Sequence, residues 1–350
     1  MSDKVDRLIL LPLPNPQLLQ LPRADFRRGF RHEVAAGSRL REGDDVANRR
    51  ATEHFVSLRR ADCQLNQFLD KHAIMLVSLF IGGSSQVELR NKPLIEALFE
   101  AKWRLEPAQD NALTKRAGRL VDRHFKLLPG VLSDRLKSYP FFEDLPISQI
   151  PEELTQYQVR HRFRTAENGW PLIQIGPGIA TLNDTSGYIW EGFKPRAVEL
   201  ISVLRDVYKD DGFPIKSLVL RYIDSVDLDG GEADLAEFTK SKLKFHFRVE
   251  PILFSKARVE PNPLNFNFVA QFKPIDMPGR LDFRIATGTI EGSSDSSIKI
   301  IWQTTLTSDD QDLEGYESET MIEMWLEHAH TVLHEWFFAQ IDGDLKARFV

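Results

Sequence analysis

The chain has 350 residues, of which 42% are hydrophobic and 27% charged, and its formal net charge is −6. This composition excludes a wholly disordered chain, and the negative charge argues against a protein that coats nucleic acid. Cys63 is the single cysteine, so neither an intrachain disulfide nor a cysteine-based metal cluster can form. The longest apolar run, residues 73–81, is far shorter than the roughly 20 residues that span a membrane. We therefore expect a soluble protein of the cytoplasm.

The first 90 residues differ in composition from the rest of the chain. They contain 12 Arg but only 2 Lys, whereas the remaining residues contain 16 Arg and 15 Lys. Three prolines break the Leu-rich stretch 8–21, and only residues 52–77 show some helical spacing. Two interpretations are open. Residues 1–85 are either a poorly ordered arm with one docking helix or an upstream extension of the reading frame, with the working start at Met75.

Beyond residue 86, apolar and polar residues alternate in several segments, which is the pattern of half-buried strands. Such alternation favours antiparallel pairing with one face of the sheet in water. The pattern predicts strands over residues 95–105, 157–163, 172–182, 218–226, 243–249, 264–272, 281–285 and 298–302.

Apolar residues spaced three and four positions apart predict helices over residues 113–136, 186–208 and 315–345. Pro129-Gly130 interrupts the first, and the second begins its regular part near Pro195, since proline is tolerated in a first turn. The expected fold is α+β: about eight mostly antiparallel strands, two to three helices on one face and a long amphipathic C-terminal helix. Residues 86–350 form a single large domain, with two lobes divided near 212–231 as the alternative. No internal sequence repeat is evident.

Four motifs stand out in this domain: NKPLIEALFE from Asn91, GWPLIQIGPGIATLND from Gly169, LRYID from Leu220 and LHEWFF from Leu333. Their order resembles a sporadically distributed family of prokaryotic hypothetical proteins. The chain departs from the family pattern where Asp224 replaces an asparagine. The resemblance implies an intracellular protein, and the patchy distribution is compatible with an antitoxin or a defence-associated role. The motif residues that it marks are Gln174, Gly176, Gly178, Asn183, Arg221, Tyr222 and His334.

The C-terminal helix contains the best candidate for a metal site. His330 and His334 are four residues apart and Glu327 lies one turn earlier, so one helical face presents all three side chains. Two imidazoles and a carboxylate are a plausible Zn²⁺ set. A packed or surface pair of histidines explains the same spacing, so no cofactor is expected, with zinc as the alternative.

The glycine-rich segment 174–178 lacks the lysine and the free N–H groups of a phosphate-binding loop, because Pro177 has no N–H to donate. A kink or bulge in a strand explains it better. Asp224, Asp227 and Asp229 near a strand end could hold Mg²⁺, although a polar turn explains them equally well.

Two predicted strands present basic residues on one side. If they are neighbours in the sheet, these residues form a basic patch that could bind phosphates or an acidic partner. The alternative is a solvated face with acids opposite the basic residues. The residues are Arg160, Arg162 and Arg164 on the first strand, and Lys242, Lys244, His246 and Arg248 on the second.

From these patterns we expect a non-enzymatic interaction protein that binds another protein or an anionic partner through its wet sheet face. Nucleic acid is not favoured, because no stacking aromatic residues share the polar strand face on which the basic residues lie. The alternative is an enzyme or ligand-binding protein with a cavity between the sheet and the C-terminal helix.

Overall fold

The computed structural model describes residues 89–107, 120–209, 213–228, 235–263, 266–288, 298–314, 316 and 318–350. The expectations about residues 1–85, including Cys63 and a start at Met75, fall outside the described residues, as does Asp229. All described residues belong to one compact unit. None of the helices within them is long and apolar enough to cross a membrane.

The described residues contain eleven strands. Nine of them form one antiparallel sheet in the order β4-β5-β6-β7-β1-β8-β11-β10-β9, and β2 and β3 form a separate two-stranded ribbon. The strands are β1 Leu94–Trp103, β2 Glu106–Pro107, β3 Leu120–Val121, β4 Phe141–Asp144, β5 His161–Arg164, β6 Leu172–Gly176, β7 Ile179–Asp184, β8 Ile215–Asp227, β9 Asn267–Phe272, β10 Arg280–Gly288 and β11 Lys299–Asp309.

The α+β class with a mostly antiparallel sheet is confirmed, but the sheet has nine strands rather than about eight. The predicted strand 172–182 is a hairpin of β6 and β7. Its turn contains Gly178, whose φ of +78° few residues other than glycine adopt. β4 was missed because all four of its residues are exposed, so it has no buried alternation.

Six α-helices accompany the strands within the described residues: α1 Leu128–Arg135, α2 Trp190–Val207, α3 Leu235–Leu243, α4 Pro251–Ala257, α5 Glu319–Ile341 and α6 Asp344–Ala347. The long C-terminal helix is α5. The helix predicted to begin regularly near Pro195 begins at Trp190, so Pro195 lies inside α2. Pro129 lies in the first turn of α1 instead of interrupting a longer helix, and residues 113–119 of that prediction are not described.

One face of the sheet forms the core with the helices. Alternate strand residues such as Phe99, Leu182, Leu220 and Trp302 join side chains from α1, α2, α3, α5 and α6 in one buried cluster. The strand residues of opposite parity point to the other face, which we call the far face. Several apolar residues of the far face are buried yet lie outside this cluster, namely Leu172, Ile179, Val219, Ile223 and Ile301.

The topology contains a repeat that the sequence does not show. β1, α1, four sequential strands β4 to β7 and α2 form one half, and β8, α3, three sequential strands β9 to β11 and α5 form the other. In each half the last of the sequential strands pairs with the first strand, and β1 pairs with β8 at the centre. The alternative of two lobes divided near residues 212–231 places the boundary at β8, a strand that pairs with β1 within the same sheet.

Candidate functional site

The far face brings together residues from both halves of the chain. Gln174 of β6 lies opposite Thr181 of β7, and Asn183 lies opposite Leu98 of β1. Leu98 in turn lies opposite Arg221 of β8. Gln174, Asn183 and Arg221 therefore share one face across four adjacent strands, although they come from two separate motifs.

A chain of hydrogen bonds runs across the first half of this face. Arg162 Nε donates to Gln174 Oε1 over 3.1 Å, and Gln174 Nε2 donates to Asn183 Oδ1 over 3.2 Å. Thr181 Oγ1 donates to the same Asn183 oxygen over 2.8 Å. Asn183 Nδ2 then donates to Glu96 Oε1 over 2.6 Å. These bonds fix the polar side chains in defined positions, and two of them, Thr181 and Asn183, are buried.

Arg221 lies at the centre of the far face and is half-buried. Its Nε donates to Thr305 Oγ1 over 3.4 Å, and Gln303 Nε2 donates to the same hydroxyl over 3.0 Å. Among the residues that the structure describes, no carboxylate pairs with Arg221. Five other basic side chains of this face have such a partner: Lys102 with Glu100, Arg162 and Arg164 with Glu143, Arg280 with Asp282, and Lys299 with Asp227.

The predicted arginine stripe on β5 is mostly buried. Arg160 is 6% exposed, and its guanidinium donates to the carbonyl oxygens of Ser148 and Ile150 and to the Thr155 hydroxyl. Arg164 is 9% exposed. Arg160 therefore holds the loop before β5 in place, and of the three arginines Arg162 has the largest exposed fraction on the far face.

The second basic stripe was predicted wrongly as a strand. Lys242 belongs to α3, and residues 244–250, which include Lys244, His246 and Arg248, form no regular element. The alternating pattern comes from side-chain packing and not from strand pairing. The rings of Phe245 and Phe247 lie 4.6 and 4.7 Å from those of Phe268 and Phe266, respectively. These rings place the segment against the helix-bearing face of β9, at the opposite end of the sheet from β5. The two stripes therefore do not form one patch.

The residues of the predicted zinc site do not converge. Glu327 pairs with Lys194 over 2.9 Å, His330 Nδ1 is hydrogen-bonded to the Tyr222 hydroxyl over 2.9 Å, and His334 lies beside Glu335. No group of three His, Cys, Asp or Glu side chains within the described ranges has a metal-binding arrangement. Burial, followed by the nearby His334 and Lys194, lowers the pKa of His330 to about 3, so its ring is neutral at pH 7.

His330 belongs instead to a cluster between the sheet and α5. Its ring stacks on Trp190 at 4.0 Å, and the hydroxyls of Tyr188 and Tyr222 are 2.6 Å apart. Burial raises the pKa of both tyrosines well above the ordinary value. This cluster joins three regions of the sequence, and the motif resemblance had marked Tyr188, Trp190 and Tyr222 without indicating that they meet the histidines.

Asp224 lies two residues after Tyr222 on the same side of β8 and is 2% exposed. Burial raises the pKa of its carboxyl to about 8. Among the described residues its Oδ2 has no hydrogen-bond partner, and neither has the indole nitrogen of Trp302, the residue directly opposite on β11. An acceptor and a donor thus lie buried and unpaired on neighbouring strands. Asp227 instead pairs with Lys299, so the two acids do not converge on a magnesium ion.

The glycines of the motif have structural roles. A Cβ on Gly176 would lie 1.8 Å from the carbonyl oxygen of Gln158. The N–H of Gly178 donates to Asp122 Oδ2 over 2.9 Å. The segment is therefore a tight hairpin between β6 and β7, not the kink or bulge within one strand that the sequence suggested.

No family model, no curated protein and no solved structure matches this chain.

Proposed function

We propose that this protein is a non-enzymatic binding protein of the cytoplasm that docks an acidic segment of another protein on the far face of its sheet. The observation that supports this function most directly is Arg221, a half-buried arginine at the centre of that face without a carboxylate partner among the described residues.

The chemistry around Arg221 suits a carboxylate. A guanidinium presents a planar fork that binds a carboxylate through two parallel hydrogen bonds. The Nε of Arg221 contacts Thr305, and Gln303 adds an amide beside it. An Asp or Glu side chain of a partner can therefore bind the remaining N–H groups of the guanidinium.

The composition of the far face favours a protein over a nucleic acid as the partner. Most of its basic residues are already neutralised by acids of the same face. A nucleic-acid surface would instead offer many unpaired cations to the phosphates.

The test is affinity capture with the full chain as bait in a native lysate of the source organism. The variants are Arg221→Gln, which removes the charge, and Arg221→Lys, which keeps the charge but removes the fork. The matched control is Arg135→Gln on α1, an exposed arginine paired with Asp206. We expect a stoichiometric protein partner with the parent chain and the control, at least about tenfold less with Arg221→Gln, and an intermediate amount with Arg221→Lys.

Capture should also weaken as salt is raised, because a charge-mediated contact is screened. Equal capture by the parent chain and by Arg221→Gln would reject the far face as the docking surface. The resemblance suggests an antitoxin or defence-associated setting for this role, and the identity of a captured partner would test that suggestion.

The unpaired Asp224 carboxyl and Trp302 indole favour a second candidate, a protein that binds a small neutral ligand between the sheet and α5. A ligand with one donor and one acceptor could satisfy both groups. A thermal-shift screen of small polar molecules tests this candidate. A compound that stabilises the parent chain but not Trp302→Phe would support it, and the absence of any such compound would count against it.

A further inference from the structure

β9 is an edge strand, because within the described residues only β10 pairs with it. The N–H of Thr287 on β10 donates to the carbonyl oxygen of Phe266 over 3.0 Å, so Phe266 directs its backbone towards β10. Backbone groups of an antiparallel strand alternate in direction. Asn267, Val269 and Gln271 therefore direct their N–H and C=O groups towards the open edge.

Within the six residues of β9, this edge lacks the charges and prolines that usually block strand addition. Natural edge strands are short, charged or interrupted by proline. The opposite edge, β4, has four residues and includes Glu143 and Asp144. β9 has six residues, NFVAQF, without a charge or a proline, and Val269 and Phe272 are 51% and 46% exposed.

The topological repeat provides for a strand position beside β9 that no strand of the described residues fills. The first half has four sequential strands, β4 to β7, and the second half has only β9 to β11. The position equivalent to β4 lies beyond β9. The segment 244–250, which precedes β9 in the same way that β4 precedes β5, forms no strand there.

The sequence of β9 is complementary to itself when a second copy pairs antiparallel with Val269 opposite Val269. Asn267 then faces Gln271, so two amides pair on one side of the sheet. On the other side Phe268 faces Ala270, a large residue against a small one, and Phe266 faces Phe272. Aromatic and amide pairs of this kind stabilise neighbouring strands. The same register matches every outward N–H and C=O group of Asn267, Val269 and Gln271 with its counterpart.

We propose that two copies of this chain associate through their β9 edges in this register and form one continuous sheet of eighteen strands around a twofold axis. The absence of charge in β9 supports a second copy as the occupant, because two identical strands then meet without repulsion. A twofold contact also closes after two chains and does not propagate into a fibre.

The test measures the mass of the full chain by size-exclusion chromatography with light scattering across a concentration series. We expect a mass near twice the 40.2 kDa of one chain. Val269→Lys and Val269→Glu should each be monomeric, because like charges then meet on the twofold axis. An equimolar mixture of the two variants should regain the dimer mass, since Lys faces Glu.

Leu154→Lys is the matched control. Leu154 is 73% exposed in the turn before β5, at the other end of the sheet, so its substitution should leave the dimer intact. A monomeric parent chain at every concentration would overturn the proposal. A dimer that persists in Val269→Lys, or a mixture that stays monomeric although both variants keep the circular dichroism spectrum of the parent chain, would also overturn it.

Discussion

Arg221 and Tyr222 are consecutive residues of β8, yet they serve opposite faces of the sheet. Arg221 contacts Thr305 on the far face, whereas the Tyr222 hydroxyl bonds Tyr188 and His330 beneath α5. The motif that contains them therefore supplies both the proposed docking surface and the buried cluster. Substitutions at these two positions should separate binding from stability.

Tyr222→Phe should lower the free energy of unfolding by about 1–2 kcal/mol, because it leaves the Tyr188 hydroxyl and His330 Nδ1 without a common partner. The Tyr188→Phe and Tyr222→Phe pair should cost less than the sum of the single changes, since the first loss already breaks the shared bond. Urea unfolding of the four proteins measures this coupling. Tyr157→Phe is the control, because the Tyr157 hydroxyl has no hydrogen bond within the described part of the chain; additive costs would contradict a shared network.

Asp122→Ala should be strongly destabilising. The Asp122 carboxylate is buried and accepts hydrogen bonds from Trp103 Nε1, the Tyr208 hydroxyl and the N–H of Gly178. Removing this one acceptor leaves several buried donors without a hydrogen-bond partner. We therefore expect the free energy of unfolding to fall by about 3 kcal/mol or more.

The control for Asp122 is Asp134→Ala, which removes an exposed ion pair with Lys137 and should change stability by less than about 0.5 kcal/mol. Chemical denaturation of both variants measures the two changes in the free energy of unfolding. Similar costs at the two positions would show that Asp122 does not organise the three elements around it.

Asp224 should make stability depend on pH. Burial raises the pKa of its carboxyl in the folded state from 3.8 to about 8. The folded chain therefore holds a proton that the unfolded chain has released. The stabilising contribution is fully present below pH 3.8 and is lost as the pH rises to about 8.

In Asp224→Asn the side chain cannot ionise, so the variant should not lose stability in this way as the pH rises. We expect the variant to gain stability relative to the parent chain between pH 5 and pH 9, as measured by urea unfolding at both values. A difference between the two proteins that stays constant with pH would mean that Asp224 ionises normally in the folded protein.

Two glycines should respond oppositely to alanine. Gly176→Ala forces a Cβ to within 1.8 Å of the Gln158 carbonyl oxygen, so the backbone of the β6–β7 hairpin must move. Gly130 lies in α1, and a Cβ added there would meet no atom within 4 Å, so alanine at this position should stabilise the protein by about 0.5–1 kcal/mol. Thermal unfolding measures both variants, and a melting temperature that changes in the same direction in both would contradict these roles.

The sequence predicted elements well where burial alternates regularly. β1, β8, β10 and the first part of β11 were found because their buried residues follow a period of two or belong to strong apolar runs. The predicted end of β11 at residue 302 falls short of the observed end at Asp309. The sequence pattern failed at residues 243–249, which alternate equally well. There Phe245 and Phe247 face other aromatic rings, and local pattern cannot tell whether a neighbouring backbone will pair.

The candidate site was only partly predictable for the same reason. Gln174, Asn183 and Arg221 were marked by motif resemblance, but their placement on one face depends on a strand order that the sequence does not reveal. Arg160 has the same residue type as Arg162, yet the 146–155 loop folds over its guanidinium and buries it. Long-range topology thus determines which arginine binds carbonyl oxygens and which one joins the polar network of the far face.

The central pairing of β1 with β8 has a consequence for how the chain acquires its structure. Strands β4 to β7, and likewise β9 to β11, pair with sequence neighbours, so each group can assemble through short loops. Leu98 and Arg221, by contrast, are more than a hundred residues apart in the sequence. Closing so long a loop costs entropy and slows assembly. We therefore expect two half-sheets to form rapidly and to join along the β1–β8 seam in the slowest step of folding.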